Sequence, residues 1–194
     1  PVERIEELAS LGIALVGENR EQEARDKAAA LDGRCGIAMI GQIQTKKANS
    51  VARWAAEVHS VDTLKLAHGL ERGMTLALER GDRTAAVLPC MVQLSYDGDS
   101  ARGGATPDKV PDIVEALEGA EHLELAGFMV VPPLDAEPRE VFSQARALTD
   151  AYGAELNRKL RLSAGMSGDF REAIACGSDI VRVGTALLGP RPVR

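Results

Sequence analysis

Two short turns in the last third of the chain carry residues that could hold an anion. The first, residues 163–169, reads S-A-G-M-S-G-D and sets Ser167 between two glycines just ahead of a predicted helix. The second, residues 182–186, reads R-V-G-T-A and again joins a glycine to a hydroxyl residue. Backbone N–H groups at a helix start, together with a hydroxyl, suit a phosphate dianion. Each turn alone is ambiguous, because Gly and Ser/Thr also cap helices that bind no anion.

Arg182 lies between two apolar residues of the last predicted strand. Strand alternation separates its side chain from Val181 and Val183, so we expect the guanidinium to face the protein interior or the site. A buried arginine needs a partner. The sequence leaves open whether that partner is a structural carboxylate or a ligand atom.

Several polar groups follow other predicted strands. Gly17, Glu18 and Asn19 end one strand, and Gln42 and Gln44 follow the next. If the strands are parallel, these amide and carboxylate groups line the same mouth as the two turns.

Short apolar runs alternate with amphipathic helices along the whole chain, which predicts a parallel sheet covered by helices. The count is seven strands and eight helical segments, with a helix first. The predicted strands are residues 13–16, 37–40, 57–61, 87–94, 123–131, 160–163 and 180–183.

One further strand ahead of the first helix would give eight βα units, the number that closes a (β/α)8 TIM barrel. The sequence starts at Pro1 without a Met, so we expect that this first strand is absent from it. In such a barrel, phosphate commonly binds at the loops after the last two strands, where the two turns lie. An open doubly wound sheet is the alternative.

Composition excludes several classes of function. The net charge is -6 and charges of both signs are scattered, so no face is basic enough for nucleic acid. No apolar run is long enough to span a membrane, and the three cysteines form no metal-binding pair. We expect residues 1–194 to form one domain of a cytoplasmic protein, and a monomer.

Six blocks of sequence, in order and over nearly the whole chain, resemble the pyridoxal phosphate homeostasis protein family. The most specific are the GEN-x-x-QE block from Gly17, the IGxxQ block from Ile40 and the RxGTAxxG block from Arg182. The other three are HSVD from His59, LAGFM from Leu125 and SAGMSGD from Ser163.

The resemblance implies a barrel of the alanine racemase N-terminal-domain type that binds pyridoxal 5'-phosphate (PLP). It implies that Asn19 lies near the cofactor and that Arg182 faces the pyridine nitrogen, where a guanidinium disfavours the protonated ring. The family's Schiff-base lysine precedes a proline that matches Pro1. The implied phosphate ligands are Ser167, Gly184 and Thr185, with help from the backbone of Gly165 and Met166.

The function implied by the resemblance is non-catalytic PLP binding in intracellular vitamin B6 homeostasis, with PLP-dependent apoenzymes as acceptors. An amino-acid racemase is the alternative, but it needs a protein base on each face of the cofactor. The chain has only Tyr96 and Tyr152, and neither lies in a motif that resembles the racemase tyrosine. A third hypothesis is a barrel that binds another phosphorylated metabolite.

Overall fold

A computed structural model describes residues 1–99 and 101–189 of the chain. Within these residues, strands and helices alternate from a first helix to a last one, as the apolar pattern predicts. The strands are β1 (Leu15–Glu18), β2 (Gly36–Met39), β3 (Glu57–Val61), β4 (Leu88–Leu94), β5 (Leu123–Val130), β6 (Arg161–Met166) and β7 (Ile180–Arg182).

Eight α-helices occur in the described part of the chain, and a short 3₁₀ turn at Thr45–Lys47 precedes the third. The helices are α1 (Val2–Ser10), α2 (Glu21–Leu31), α3 (Ala48–Trp54), α4 (Leu64–Arg80), α5 (Val110–Glu118), α6 (Pro138–Glu155), α7 (Phe170–Ala175) and α8 (Thr185–Leu188).

Helix α4 shows how local sequence sets these elements. Thr63 starts it, since its side chain accepts a hydrogen bond from the Leu66 N–H (3.2 Å). Gly81 ends it in the left-handed conformation, φ 72°. On its buried face Gly73 lets helix α3 approach closely, because a Cβ there would lie 2.8 Å from the Ala52 Cβ. The local sequence of α4 therefore determines both of its ends and the face that packs against α3.

All seven strands are parallel, and each pairs with its neighbours in chain order from β1 to β7. Every crossover thus moves one strand in the same direction. A doubly wound sheet would reverse that order at a switch point. The molecule is a nearly closed barrel of the TIM type, as predicted, and the open-sheet alternative is wrong.

The two faces of the sheet carry different side chains. Leu88, Cys90 and Val92 of β4 belong to the large apolar cluster that packs the sheet against the helices. Alternation turns Met91 and Gln93 to the inner face. The barrel wall is therefore held from outside by apolar packing.

The inner face carries an ion pair that crosses from β6 to β3. The Arg161 guanidinium donates to both carboxylate oxygens of Glu57 (3.2 and 3.1 Å). The buried His59 ring contacts the same carboxylate, with Nε2 2.9 Å from Oε2. His59 is thus held structurally at the inner face.

Two strands, β1 and β6, differ from the predicted boundaries by more than one residue. β1 starts two residues later than the apolar run and includes Gly17 and Glu18, because its pairing with β2 runs from Leu15 to Glu18. β6 continues to Met166, although glycine usually marks the end of a strand. Gly165 has φ +92° there, and the pairing with β7 shifts register between Ser163 and Met166.

Membrane-spanning helices are not found in residues 1–99 and 101–189, since no helix there combines the necessary length and apolar character.

Candidate functional site

The two predicted anion-binding turns start from neighbouring strands. Met166, the last residue of β6, pairs in register with Arg182, the last residue of β7. Because the strands are parallel, the turns that follow leave from the same edge of the sheet. This is the carboxyl-terminal rim of the barrel, where TIM-barrel sites lie.

The turn after β6 is shaped by Gly165 and Asp169. A Cβ on Gly165 would lie 2.6 Å from the Ala173 Cβ and 2.9 Å from the Phe170 Cα, so glycine lets α7 fold back against the strand. Asp169 Oδ1 accepts the Met166 N–H (2.6 Å), and the Asp169 N–H donates to Met166 O (3.1 Å). Reciprocal bonds thus close the turn around Ser167.

The exposed centre of this turn keeps free donors. Within the described part of the chain, Ser167 and Gly168 donate no hydrogen bond to a protein acceptor, and both are exposed. The Ser167 hydroxyl and two adjacent N–H groups are therefore available to an anion. The sequence also predicted that the Met166 backbone helps to bind the phosphate. The Met166 N–H could do so only if the Asp169 carboxylate released it.

The turn after β7 offers a second hydroxyl. Gly184 is exposed with no atom within 4 Å of its Cβ position, and the exposed Thr185 begins α8. Gly184 O accepts the N–H groups of Leu187 and Leu188 (2.9 and 2.8 Å), which closes the turn. The carbonyl of Gly184 is thus used within the turn, whereas its N–H donates no hydrogen bond to any residue that the structure describes.

Arg182 is partly buried beside the turns, and the two groups that accept its hydrogen bonds are neutral. Nη1 donates to Ser163 Oγ and Nη2 to the main-chain oxygen of Val130, both at 2.9 Å. Burial lowers the pKa of Arg182 to about 10, partly offset by the negative charge of Asp169. The guanidinium stays charged at neutral pH. Among the described residues no carboxylate forms an ion pair with it, so the structural ion pair, one of the two alternatives that the sequence left open, is not found there.

Six of the seven predicted site residues therefore come from two adjacent strands and their turns. The seventh, Asn19, is exposed and follows β1. In the order of hydrogen-bonded strands, β1 lies at the opposite end from β7. Its main chain lies against Gly41, where a Cβ would be 2.1 Å from Asn19 O. The close approach of these two loops explains the glycine of the IGxxQ block.

A cavity of about 580 Å³ adjoins the turn after β6. Its lining comes from the loops that follow β4, β5 and β6 and includes Tyr96, Arg102, Leu134, Met166 and Asp169. Of these five residues, the sequence assigned a role in binding only to the backbone of Met166. A second cavity, of about 390 Å³, lies at the amino ends of the strands near Arg158 and Arg161, away from the turns.

Arg102 ties the loops around the larger cavity together. Its Nη2 donates to the carbonyl oxygens of Val131 (3.1 Å) and Pro132 after β5. Gln93 Nε2 in turn donates to Arg102 O (3.0 Å). No signal in the sequence indicated that Arg102 would anchor the neighbouring loop.

Two residues that matter at the site, Ser163 and Asp169, lie in the SAGMSGD motif, but the sequence assigned them no role. Ser163 holds the Arg182 guanidinium, and Asp169 closes the turn around Ser167. For Ser163 the available signal is the alternation of side chains along β6, which places Ser163 on the same face of the sheet as Arg161. For Asp169 it is the position just before a helix, where acidic residues are common.

Comparisons with known proteins agree with this architecture. A family model described as the alanine racemase N-terminal domain matches residues 2–192. A pyridoxal phosphate homeostasis protein from Corynebacterium glutamicum is 53% identical over 193 residues, which cover 100% of this chain and 87% of the relative.

Solved structures show the same likeness. PipY from Synechococcus elongatus PCC7942 with PLP bound has a TM-score of 0.83 and 30% identity, over 97% of this chain and 88% of that chain. Alanine racemase from Clostridium difficile 630 in complex with cycloserine has a TM-score of 0.70 and 16% identity, over 99% of this chain and 51% of that chain. At that identity the second likeness concerns the fold.

Proposed function

Because this chain belongs to the pyridoxal phosphate homeostasis protein family, within the alanine racemase N-terminal domain family, we propose that it binds PLP and serves intracellular PLP homeostasis. The observation that carries the proposal is the pair of exposed hydroxyl turns on adjacent strands, beside a partly buried arginine with neutral partners. The family relation agrees with the resemblance found in the sequence motifs.

The donor set fits the chemistry of the ligand. Ser167 and Thr185 would donate hydroxyl hydrogens to the phosphate, with the N–H groups around Gly168 and Gly184, and anionic acceptors make such bonds strong. Arg182 would face the ring nitrogen, and Asn19 would lie near the cofactor. When bound, PLP supplies a reactive aldehyde and an electron-withdrawing ring.

The environment of Arg182 favours a binding role over turnover. Its guanidinium stays positive at neutral pH, and a fixed positive charge disfavours protonation of a nearby pyridine nitrogen. An unprotonated ring is a weaker electron sink, so carbanion chemistry would be slow. We therefore propose that the protein is not an enzyme.

The tyrosines support the same choice. Tyr152 packs on Phe128 with ring centroids 5.3 Å apart, in the core between sheet and helices. Tyr96 lines the larger cavity, but burial raises the pKa of its phenol, which stays protonated at neutral pH. Neither is placed to act as a ready base, so we expect no measurable racemisation of alanine or serine at high protein concentration.

We propose further that PLP-dependent apoenzymes accept the cofactor and that the protein is a cytoplasmic monomer. The exposed position of Ser167 and Thr185 supports release to an acceptor, because the phosphate would sit at an open rim. The cysteines of the described chain are free thiols, in keeping with a reducing compartment. Light scattering of the purified chain would test the monomer.

Titration calorimetry with PLP tests the proposed function. Ser167→Ala and Thr185→Ala should each weaken binding by about 1.5–3 kcal/mol, because each removes a charge-assisted hydrogen bond. Pyridoxal, which lacks the phosphate, should bind all variants equally weakly. Ser143→Ala, an exposed hydroxyl on α6, is the matched control and should bind as wild type.

Unchanged PLP affinity in both turn variants would refute the phosphate assignment. Competition by sugar phosphates as effective as PLP itself would instead support a barrel for another phosphorylated metabolite.

A further inference from the structure

The Arg182 guanidinium is held by two acceptors of different kinds. One is the main-chain oxygen of Val130, which substitution of a side chain cannot remove. The other is the hydroxyl of Ser163, which is fully buried. Among the described residues Ser163 is the only side chain that accepts a hydrogen bond from Arg182.

Two tethers determine the orientation of a guanidinium. The group is planar, with its donors in a rigid fork, so fixing both terminal nitrogens fixes the plane and the direction of the Nε–H. With one tether alone the group can turn about the remaining bond. The structure shows no acceptor for the Nε–H in residues 1–99 and 101–189, so this donor is free for a ligand.

A competing partner lies nearby. The carboxylate of Asp169 is close enough to act electrostatically on Arg182, and it sits in the turn around Ser167. Without the Ser163 tether, attraction would draw the guanidinium toward that carboxylate. The hydroxyl of Ser163 thus keeps the cation in place against a charged alternative.

We propose that Ser163 is a positioning residue that aims the Arg182 guanidinium at the ring nitrogen of bound PLP. This inference rests on the proposed function, and it adds a determinant of how the site distinguishes a pyridine from a benzene ring. The role is specific to one ligand atom, because Ser163 is buried within β6, away from the exposed residues 167–168 and 184–185 that would hold the phosphate.

The test compares two ligands that differ only at the ring nitrogen. These are PLP and its 1-deaza analogue, in which a C–H group replaces that nitrogen. Wild type should bind PLP more tightly, because only PLP accepts a hydrogen bond from Arg182. In Ser163→Ala this preference should fall by about tenfold, the size of a lost hydrogen bond to a charged group, while the affinity for the analogue stays within about twofold.

Two further variants make the result specific. Ser163→Cys keeps nearly the same volume but replaces the oxygen by a weak acceptor, so it should lose the preference as alanine does. Ser178→Ala is the matched control, since its hydroxyl bonds the Ala164 main chain on the same strand pair and does not touch Arg182. It should keep the wild-type preference.

Each remaining outcome overturns the proposal. Equal preference in wild type and Ser163→Ala would show that the hydroxyl does not orient Arg182. Equal weakening of both ligands in Ser163→Ala would show a structural role only. Wild type that binds both ligands equally would remove Arg182 from the ring nitrogen while PLP binding stands, whereas wild type that binds neither would end the proposed function as well.

Discussion

Two glycines in the turn after β6 have different surroundings. Gly165 has φ +92°, and a Cβ there would lie 2.6 Å from the Ala173 Cβ and 2.9 Å from the Phe170 Cα. Gly168, three residues later, has no atom within 4 Å of its Cβ position and no positive φ. One glycine is therefore needed for packing, and the other is not.

We expect Gly165→Ala to lower the free energy of unfolding by about 2–4 kcal/mol, since it combines overpacking with a strained backbone. Gly168→Ala should change it by less than about 0.5 kcal/mol, as an open surface substitution does. Urea denaturation of both variants measures this. Similar losses for the two would contradict the difference in their surroundings.

Glu57 couples stability to pH. Burial alone would raise the pKa of its carboxyl, but the hydrogen bond with His59 and the charge of Arg161 outweigh burial and hold the pKa below its usual range. A carboxyl whose pKa is lowered by folding stabilises the protein above its unfolded pKa of about 4.3, and this contribution is lost as pH falls below that value.

Glu57→Gln should therefore destabilise the protein by about 2 kcal/mol at pH 7, because it leaves the half-buried Arg161 without its charged partner. The difference from wild type should be smaller at pH 3.5, because this pH lies below the unfolded pKa of about 4.3 and the stabilisation that comes from the lowered pKa is being lost there. Denaturation at the two pH values measures it, with Glu140→Gln on the exposed side of α6 as control. A difference independent of pH would exclude the ion pair as the cause.

At the scale of elements, the loop after β4 is a fixed part of the rim. Ala105 rejoins the sheet through a bridge to Leu94, and its N–H donates to Gln93 O (2.7 Å). Asp62, at the end of β3, accepts hydrogen bonds from the Gly104 N–H and the Gln42 side chain. Together with Arg102, these contacts connect the loops that follow four successive strands.

Arg102→Gln should loosen two loops at once, because the guanidinium bonds carbonyls of residues 131 and 132. We expect faster amide hydrogen exchange in residues 97–104 and 131–136, with exchange in the strands unchanged. Arg139→Gln, an exposed arginine on α6, should leave both loops as in wild type. Faster exchange in only one loop would show that Arg102 does not link them.

At the scale of the molecule, the strands form one sheet around one interior. The Arg161–Glu57 pair joins residues 104 apart in sequence across that interior, and the main apolar cluster draws on β2 through β6. Among the described strands, none of the inner pairs from β2–β3 to β5–β6 can therefore open without breaking contacts on both of its sides. This supports our proposal that residues 1–194 form a single domain.

We expect the chain to unfold in one cooperative transition. Differential scanning calorimetry should give a calorimetric enthalpy equal to the van't Hoff enthalpy within error. Two resolved transitions, or a calorimetric enthalpy well above the van't Hoff enthalpy, would indicate separate folding units.

The sequence by itself determined the element order, the parallel barrel and the adjacency of the two hydroxyl turns. These follow from local rules, because the apolar period predicts each element and the barrel topology places the ends of successive strands side by side. It also indicated that Arg182 turns away from Val181 and Val183. The sequence did not predict the strand ends at Glu18 and Met166. The reason is that Gly17 and Gly165 interrupt the apolar runs, and glycine there indicates a turn or bulge.

Only the tertiary structure decided which groups meet. Arg182 contacts Val130, 52 residues away, and Ser163, 19 residues away, and the Asp169 carboxylate takes the Met166 N–H. The physical reason is that these contacts depend on register, including the shift between β6 and β7 after Ser163. Register is set by the packing of the whole sheet, and residue periodicity along one strand does not encode it.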